Sequence, residues 1–208
     1  MSLLTEGQHG LKAHSDGPVP VQTRSERFSS TDPAEFPEVT GLELEWKLTP
    51  VALLRPLIDG ALDGSPYGAE GAGIEWVDRS DARVGSAGKP EERASANAWA
   101  SFERALAVTV GSEEHSEVAI ERTGLGAEPR AAHTIITATP NSRGTVILRS
   151  SGPATLSENV EIVVGDGADL TVVSLQEWDG EALHLASHFA TVGRDARLKH
   201  VVVSLGGA

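Results

Sequence analysis

The chain has 208 residues, of which 39% are apolar and only 4% aromatic, so one medium-sized domain with a core of Val, Ile, Leu and Ala is expected. Seventeen basic and 30 acidic residues give a net charge of −13, which excludes phosphate-rich partners such as nucleic acid and disfavours anionic membranes. There is no cysteine, which excludes disulfide bonds and thiolate metal ligands.

The first 39 residues lack the features of a targeting or folded segment. They are rich in Ser, Thr, Pro, Gly and His without an apolar period, which predicts a disordered tail over 1–39. Two sparse histidines in it, His9 and His14, do not predict a metal site. The N-terminus shows no secretion signal, and no apolar run approaches the ~20 residues of a membrane span, so a cytoplasmic protein is expected.

Residues 40–105 predict a helical and irregular region. Thr40 and Glu43 have the spacing of a capping box. Thr49, followed by proline, predicts the N-cap of a helix with an apolar stripe, which Pro56 should kink or end. Farther along, the pattern predicts a short strand at Ile74–Val77 and a helix from Pro90 to about Arg104.

From Leu106 the sequence changes to short aliphatic runs rich in β-branched residues and separated by Gly, Asp, Asn, Ser and Pro, which predicts strands over 106–208. The runs are Leu106–Val110, Glu117–Glu121, His133–Ala138, Thr145–Leu148, Val160–Val164, Leu170–Leu175, Ala182–Ala190 and Leu198–Leu205.

These runs repeat. Gly111, Ala138, Gly165 and Gly193 each follow an apolar triplet, at separations of 27, 27 and 28 residues. A fixed period of this length predicts a repeat architecture in which each strand pairs with the equivalent strand of the next turn. We therefore predict a right-handed parallel β-helix, with glycine at tight corners where φ is positive.

An ordinary β-sandwich is the alternative fold. It needs antiparallel hairpins and strands every 8–12 residues or so. Asp166–Gly167 is the nearest hairpin-like dipeptide, and its copy at Asp195–Ala196 lacks the glycine. The apolar strand at the end of the chain has no polar cap after it, which suggests a truncated chain or turns supplied from elsewhere.

The search for catalytic motifs is mostly negative. Gly88–Lys89 is followed by Pro90 instead of Ser or Thr, so no ATP-binding loop of the Walker A type is expected. We predict no catalytic, cofactor-binding or metal-binding residue, and no enzyme activity.

Four histidines are candidate metal ligands. His184 and His188 lie on a predicted strand, where four residues span roughly 13 Å, too far for one ion to bridge. We predict His133 and His200 on other turns, so a metal site that joins histidines from different turns stays an alternative. Stacked or exposed polar side chains are the favoured interpretation.

Three carboxylates, Glu177, Asp179 and Glu181, surround a predicted turn. Paired carboxylates perform acid–base chemistry on sugars, but a solvated acidic corner is the favoured interpretation.

Two stretches resemble the SufB/SufD family of iron–sulfur cluster assembly proteins, most closely its SufD members. The first is Pro37–Pro50, with Glu43, Glu45, Trp46 and Thr49; the second is Ser157–Trp178, continued by Gly193–His200 and Leu205–Gly207. Phe102–Val110 is similar to the helix-to-first-strand junction of the family. The resemblance covers about residue 37 to the end.

This resemblance implies a non-catalytic scaffold of the SUF complex. SufD pairs with SufB, each recruits the ATPase SufC, and the whole complex assembles the iron–sulfur cluster transiently. The family residues tied to cluster assembly and docking lie mainly in later turns and C-terminal helices that this chain lacks, so none is transferred and no resident cofactor is expected.

Two other functions are alternatives for a repeat fold of this kind. A carbohydrate-active β-helix enzyme of the polysaccharide lyase type would need acidic residues aligned on consecutive turns, and usually a secretion signal. A plain interaction module or repeat adhesin would lack the helical segment at Thr40–Pro50.

Overall fold

The computed structural model describes residues 27–207. The protein is mainly β, with 48% of residues in strands and 11% in helices, and forms a parallel β-solenoid of about four turns preceded by a few helices. The predicted parallel solenoid is confirmed, and the β-sandwich alternative is wrong because the solenoid strands pair in parallel, two strands apart in sequence.

The secondary structure follows the predicted strands closely. The helical elements are a 3₁₀ helix at Pro33–Glu35, α1 at Val51–Ile58 and α2 at Arg93–Ser101. The strands are β1 Gly68–Gly71, β2 Ile74–Asp78, β3 Arg104–Val110, β4 Ser116–Thr123, β5 Gly126–Ala138, β6 Arg143–Gly152, β7 Ala154–Val164, β8 Asp169–Trp178, β9 Leu183–Val192 and β10 Arg197–Ser204.

Two five-stranded sheets form the walls of the solenoid, in the orders β1-β4-β6-β8-β10 and β2-β3-β5-β7-β9. Each turn contributes one strand to each wall, so the four turns are β3–β4, β5–β6, β7–β8 and β9–β10. At the N-terminal end of the solenoid, β1 pairs antiparallel with β4, and β2 pairs antiparallel with β3. They cover the backbone groups of the first turn, which would otherwise be an unpaired edge.

The turns do not repeat at a constant length. Val110 pairs with Ala138, Ala138 with Val164, and Val164 with Val192, so the steps are 28, 26 and 28 residues. The middle step is shorter because one residue separates β6 from β7, whereas four separate β8 from β9. The repeat read from the sequence is therefore wrong by one position in the second turn. Thr139, not Ala138, is the equivalent of Gly111, Gly165 and Gly193, here called the marker glycines.

Alternation along the strands fills the lumen with aliphatic side chains. In β7, the residues at even positions from Val160 onward point inward, and each lies over its partner from the turn before. The fully buried luminal residues are Leu106, Val108, Val110, Ile120, Ile136, Ala138, Val146, Leu148, Val160, Ile162, Val164, Ala168, Leu170 and Val172.

The N-terminal region packs on the outer face of β5, β7 and β9. Helix α1 buries Val51, Leu54, Leu57 and Ile58. Helix α2 buries Trp99 against the sheet and is shorter than predicted. In the part of the chain from 27 to 207, no helix has both the length and the apolar character needed to cross a bilayer.

Three details of the N-terminal predictions need correction. Phe36 and Val39 are buried, so packed structure begins before residue 40; residues 1–26 of the predicted tail, with His9 and His14, lie outside the described residues. Glu43 accepts the Thr40 N–H, as in a capping box, but a turn follows in place of a helix. Pro50, not Thr49, is the N-cap position of α1, and no side chain caps it.

Two of the marker glycines, Gly165 and Gly193, are required by close approach, not by positive φ. A Cβ on Gly165 would lie 2.7 Å from the backbone nitrogen of Pro140 in the turn below. The left-handed residues stand two positions later, at Asn141, Gly167 and Asp195, where Asn and Asp tolerate this conformation best after glycine. Gly111, in the first turn, has open space, with only Thr139 Oγ1 at 3.8 Å.

Gly165→Ala is therefore expected to lower the free energy of unfolding by about 1–3 kcal/mol, because the added methyl group overlaps backbone that cannot move away. The matched control, Gly111→Ala at the equivalent corner, should change it by less than about 0.5 kcal/mol. Urea unfolding followed by circular dichroism measures both, and equal losses would contradict the stacking explanation.

Candidate functional site

A group of polar side chains interrupts the aliphatic lumen. Arg122, Ser150, Glu158 and His184, here called the luminal polar cluster, come from the first, second, third and fourth turns. Arg122 and Ser150 are direct partners on β4 and β6. Glu158 and His184 lie inward on β7 and β9, in the opposite wall. The cluster therefore crosses the solenoid from one wall to the other.

The centre of the cluster is a buried ion pair between Arg122 and Glu158. The guanidinium donates to both carboxylate oxygens, at 2.5 and 3.0 Å, and its Nε and Nη2 donate to Ser150 Oγ at 2.9 and 2.7 Å. His184 Nε2 lies 2.7 Å from Glu158 Oε1. Since an ionised carboxylate only accepts hydrogen bonds, the His184 ring is the donor.

The environment favours the charged form of this carboxylate. Burial alone raises the pKa of Glu158, but the Arg122 charge and the His184 hydrogen bond outweigh it and hold the pKa well below its ordinary range. Tyr67 and Trp178 enclose the cluster: the Arg122 guanidinium lies 5.9 Å from the Tyr67 ring, and Trp178 meets His184 edge-on at 5.1 Å. In such a dry site, the attraction between opposite charges is strong.

A second buried carboxylate fastens the N-terminal region to the outside of the solenoid. Glu161 on β7 accepts the backbone N–H groups of Gly85 and Ala87 at 2.7 and 2.9 Å, and lies 2.8 Å from His133 Nε2. The His133 ring stacks on Phe102 with centroids 4.3 Å apart. These contacts hold the loop that contains Gly85 and Ala87 against the solenoid.

The next residues along β7 hold α2 in the same way. Asn159 Nδ2 donates to the Ser95 carbonyl at 3.0 Å, and Ser95 Oγ donates back to Asn159 Oδ1 at 2.5 Å. Ser157 Oγ donates to the Ala94 carbonyl at 3.4 Å. The outer face of β7 is thus polar and buried, and its role is attachment.

The four histidines have three different environments. His184 belongs to the luminal polar cluster, whereas His133 contacts Glu161 on the outer face of the solenoid. His188 Nδ1 lies 3.0 Å from His200 Nε2. These last two belong to the same turn, on β9 and β10, so the prediction that His200 lies on another turn is wrong. Among residues 27–207, no group of three or more His, Asp or Glu side chains is arranged to hold a metal ion.

The acidic corner is largely solvated. Glu177 pairs with Arg149 at 3.1 Å on the outer face, while Asp179 and Glu181 are exposed in the turn after β8. In the turn before, the residue opposite Glu177 is Ser151. These acids therefore do not align on consecutive turns, and the corner lends no support to the polysaccharide lyase alternative.

Arg122 and Glu158 were missed by the sequence analysis, although a signal was present. Arg122 has the same period-two phase as Ile120, and Glu158 the same phase as Val160 and Ile162. A charged residue in phase with buried aliphatic residues is an inward-facing charge, which needs a partner.

A cavity of about 570 Å³ lies between the N-terminal region and β9. Its walls combine aromatic rings, among them Phe28 and Trp46, with the carboxylates of Glu43, Glu45 and Glu91 and the imidazole of His188.

Part of the chain matches a protein family model, and most of the chain aligns with known relatives. Residues 121–208 match the family model described as "SUF system FeS cluster assembly, SufBD core domain". The chain is 34% identical over 207 residues to iron–sulfur cluster assembly SufBD family proteins of Mycobacterium tuberculosis and Mycobacterium bovis, a match that covers 95% of this chain and 52% of each relative. A Mycobacterium leprae protein of the same description is 34% identical over 189 residues, covering 86% and 48%.

The chain thus spans about half the length of the curated relatives it matches. No solved structure shows significant similarity to it.

Replacing Arg122 with Met is expected to lower the free energy of unfolding by about 3–5 kcal/mol, because Glu158 would remain buried and unpaired. Arg149→Met is the matched control: it removes an arginine with two exposed ion pairs and should cost at most about 1 kcal/mol. The double variant Arg122→Met/Glu158→Met should regain most of the loss. A cost for Arg122→Met no larger than that of the control would contradict a buried, charged pair.

The contribution of Glu158 to the free energy of unfolding should depend on pH. Because its pKa is lower in the folded chain than the ordinary 4.5, its contribution is complete above pH 4.5 and is lost as the pH falls through the folded value. The difference in unfolding free energy between the native chain and Glu158→Gln should therefore shrink steadily on acidification below pH 4.5. A difference that grows there would show that Glu158 is protonated in the folded chain.

Proposed function

Because its solenoid turns form a SufBD core domain, this chain belongs to the SufB/SufD family of the SUF iron–sulfur cluster assembly system, and we propose that it acts as a SufD-type scaffold subunit. In this role it pairs with SufB and recruits the ATPase SufC without catalysing a reaction itself. The cluster is cargo of the assembled complex, not a resident cofactor of these turns. The proposal includes the cytoplasmic location expected from the sequence.

The observation that carries the proposal is the match of the solenoid itself to the SufBD core, together with identity that continues through the helical region. The choice of SufD over SufB rests on the two resembling stretches, Pro37–Pro50 and Ser157–Trp178. The closely packed lumen also supports a scaffold, since a chain whose interior is filled with side chains acts through its outer surfaces.

One outer surface suits a protein partner. The helices pack on β5, β7 and β9, whereas the outward residues Ile147, Val173 and Val201 of β6, β8 and β10 form an apolar row that is only half-buried. Charged side chains flank this row, including the Arg149–Glu177 pair. An apolar centre with a polar rim is the usual composition of a protein interface, so we assign subunit pairing to this row.

Co-expression of the full chain with SufB and SufC, followed by affinity purification and native mass spectrometry, tests both parts of the proposal. The native chain should co-purify as a hetero-oligomer that contains both partners. Recovery of neither would overturn the scaffold proposal, and a complex of this chain only with itself would overturn the SufD-type assignment.

The assigned row is tested separately. Val173→Lys should lower the yield of the complex at least tenfold, because an ammonium group would be buried in the interface. Leu53→Lys, at a 50% exposed position on α1, should leave the yield unchanged. Circular dichroism confirms that both variants fold. Full recovery with Val173→Lys would reject this row as the pairing surface and leave the scaffold proposal standing.

A further inference from the structure

The last turn of the lumen differs from the three before it. His188 lies over Val160, and His200 lies over Val172, so imidazoles occupy the inward positions that valines fill one turn earlier. The two residues come from opposite walls and meet across the lumen. Neither ring has a hydrogen bond to a carboxylate among the described residues, in contrast to His133 and His184, which both bond to buried glutamates.

The distance between the two rings fits a shared metal ion. The His188 Nδ1 and His200 Nε2 atoms are 3.0 Å apart, and the ring centroids are 4.7 Å apart. Two imidazole nitrogens at the usual 2.0–2.1 Å from one ion, with an angle between 90° and 109° at the metal, are separated by about 2.9 to 3.4 Å. In the folded chain the two nitrogens therefore lie at the separation that adjacent ligands of one ion require.

The protonation state of the pair is also suitable. Burial lowers the pKa of His188, and partial burial lowers that of His200. The charge of Glu158 opposes this effect on His188, but Glu158 is already paired with Arg122. Both rings are therefore expected to be neutral near pH 7, and the neutral imidazole is the form that binds metal ions.

The pair is open to solvent, since His200 is exposed and His188 is only half-buried. His188 forms part of the wall of the 570 Å³ cavity, which also contains Glu43, Glu45 and Glu91. With Glu38 and Glu92, the cavity wall contains five glutamates and only two arginines, Arg27 and Arg93. The cavity therefore has an excess of acidic side chains. Such a field raises the local concentration of cations.

We propose that His188 and His200 together bind one divalent transition-metal ion of the kind that prefers imidazole nitrogen, such as Zn²⁺, Co²⁺ or Ni²⁺. Two protein ligands leave the remaining positions to water, so binding is exchangeable, unlike a closed structural zinc site. The site is independent of the scaffold proposal, since it uses only the last turn of this chain.

Titration of the untagged full chain with Co²⁺, followed by visible absorption, and competition between the chain and a chromogenic chelator for Zn²⁺ test the proposal. The native chain should bind one ion per chain at this site. His188→Ala and His200→Ala should each weaken binding at least tenfold, because either change leaves a single imidazole. His188→Asn, which keeps a polar side chain, should fold normally and show the same loss.

Two control variants separate this site from adventitious binding. His115→Ala removes an exposed histidine of the solenoid, and His14→Ala removes one from the N-terminal segment. Both should bind Co²⁺ as the native chain does. Unchanged binding in His188→Ala and His200→Ala, or an equal loss in the controls, would overturn the proposal.

Discussion

Hydrogen bonding between equivalent strands of successive turns is the constraint on which the rest of the structure depends. Because β3 to β10 pair in parallel, with one register shift between Gly126 and Pro129, most inward side chains lie directly over their equivalents in the turn before. This alignment produces the aliphatic ladders of the lumen. It also excludes a side chain at Gly165 and Gly193, where a Cβ atom would overlap the backbone of the preceding turn.

The same alignment explains how charges are tolerated in so narrow a lumen. Arg122, Ser150, Glu158 and His184 belong to four different turns, and only stacking brings them within hydrogen-bonding distance. A buried carboxylate is costly without such partners. The cluster contributes little net stability compared with an apolar core, but it favours one register, since a shift by one position would leave both charges unpaired.

The sequence predicted the strands well because period-two aliphatic runs are a local signal. All eight runs from Leu106 onward are strands, and the short strand at Ile74–Val77 is confirmed. The register was predicted less well: a nearly constant period concealed one short turn, so Ala138 was aligned where Thr139 belongs. The start of α1 was misplaced by one residue, since the tertiary packing of Val51 and Leu54 outweighs a cap.

By itself, then, the sequence determined the class of fold and the parallel stacking of its strands, because these depend on composition and on a repeat that can be read along the chain. The tertiary structure alone decided which polar residues meet. Arg122 and Glu158 are 36 residues apart, and His188 and His200 come from opposite walls. Such contacts depend on the length of every intervening corner, and a change of one residue in a corner would turn these side chains from the lumen to the solvent.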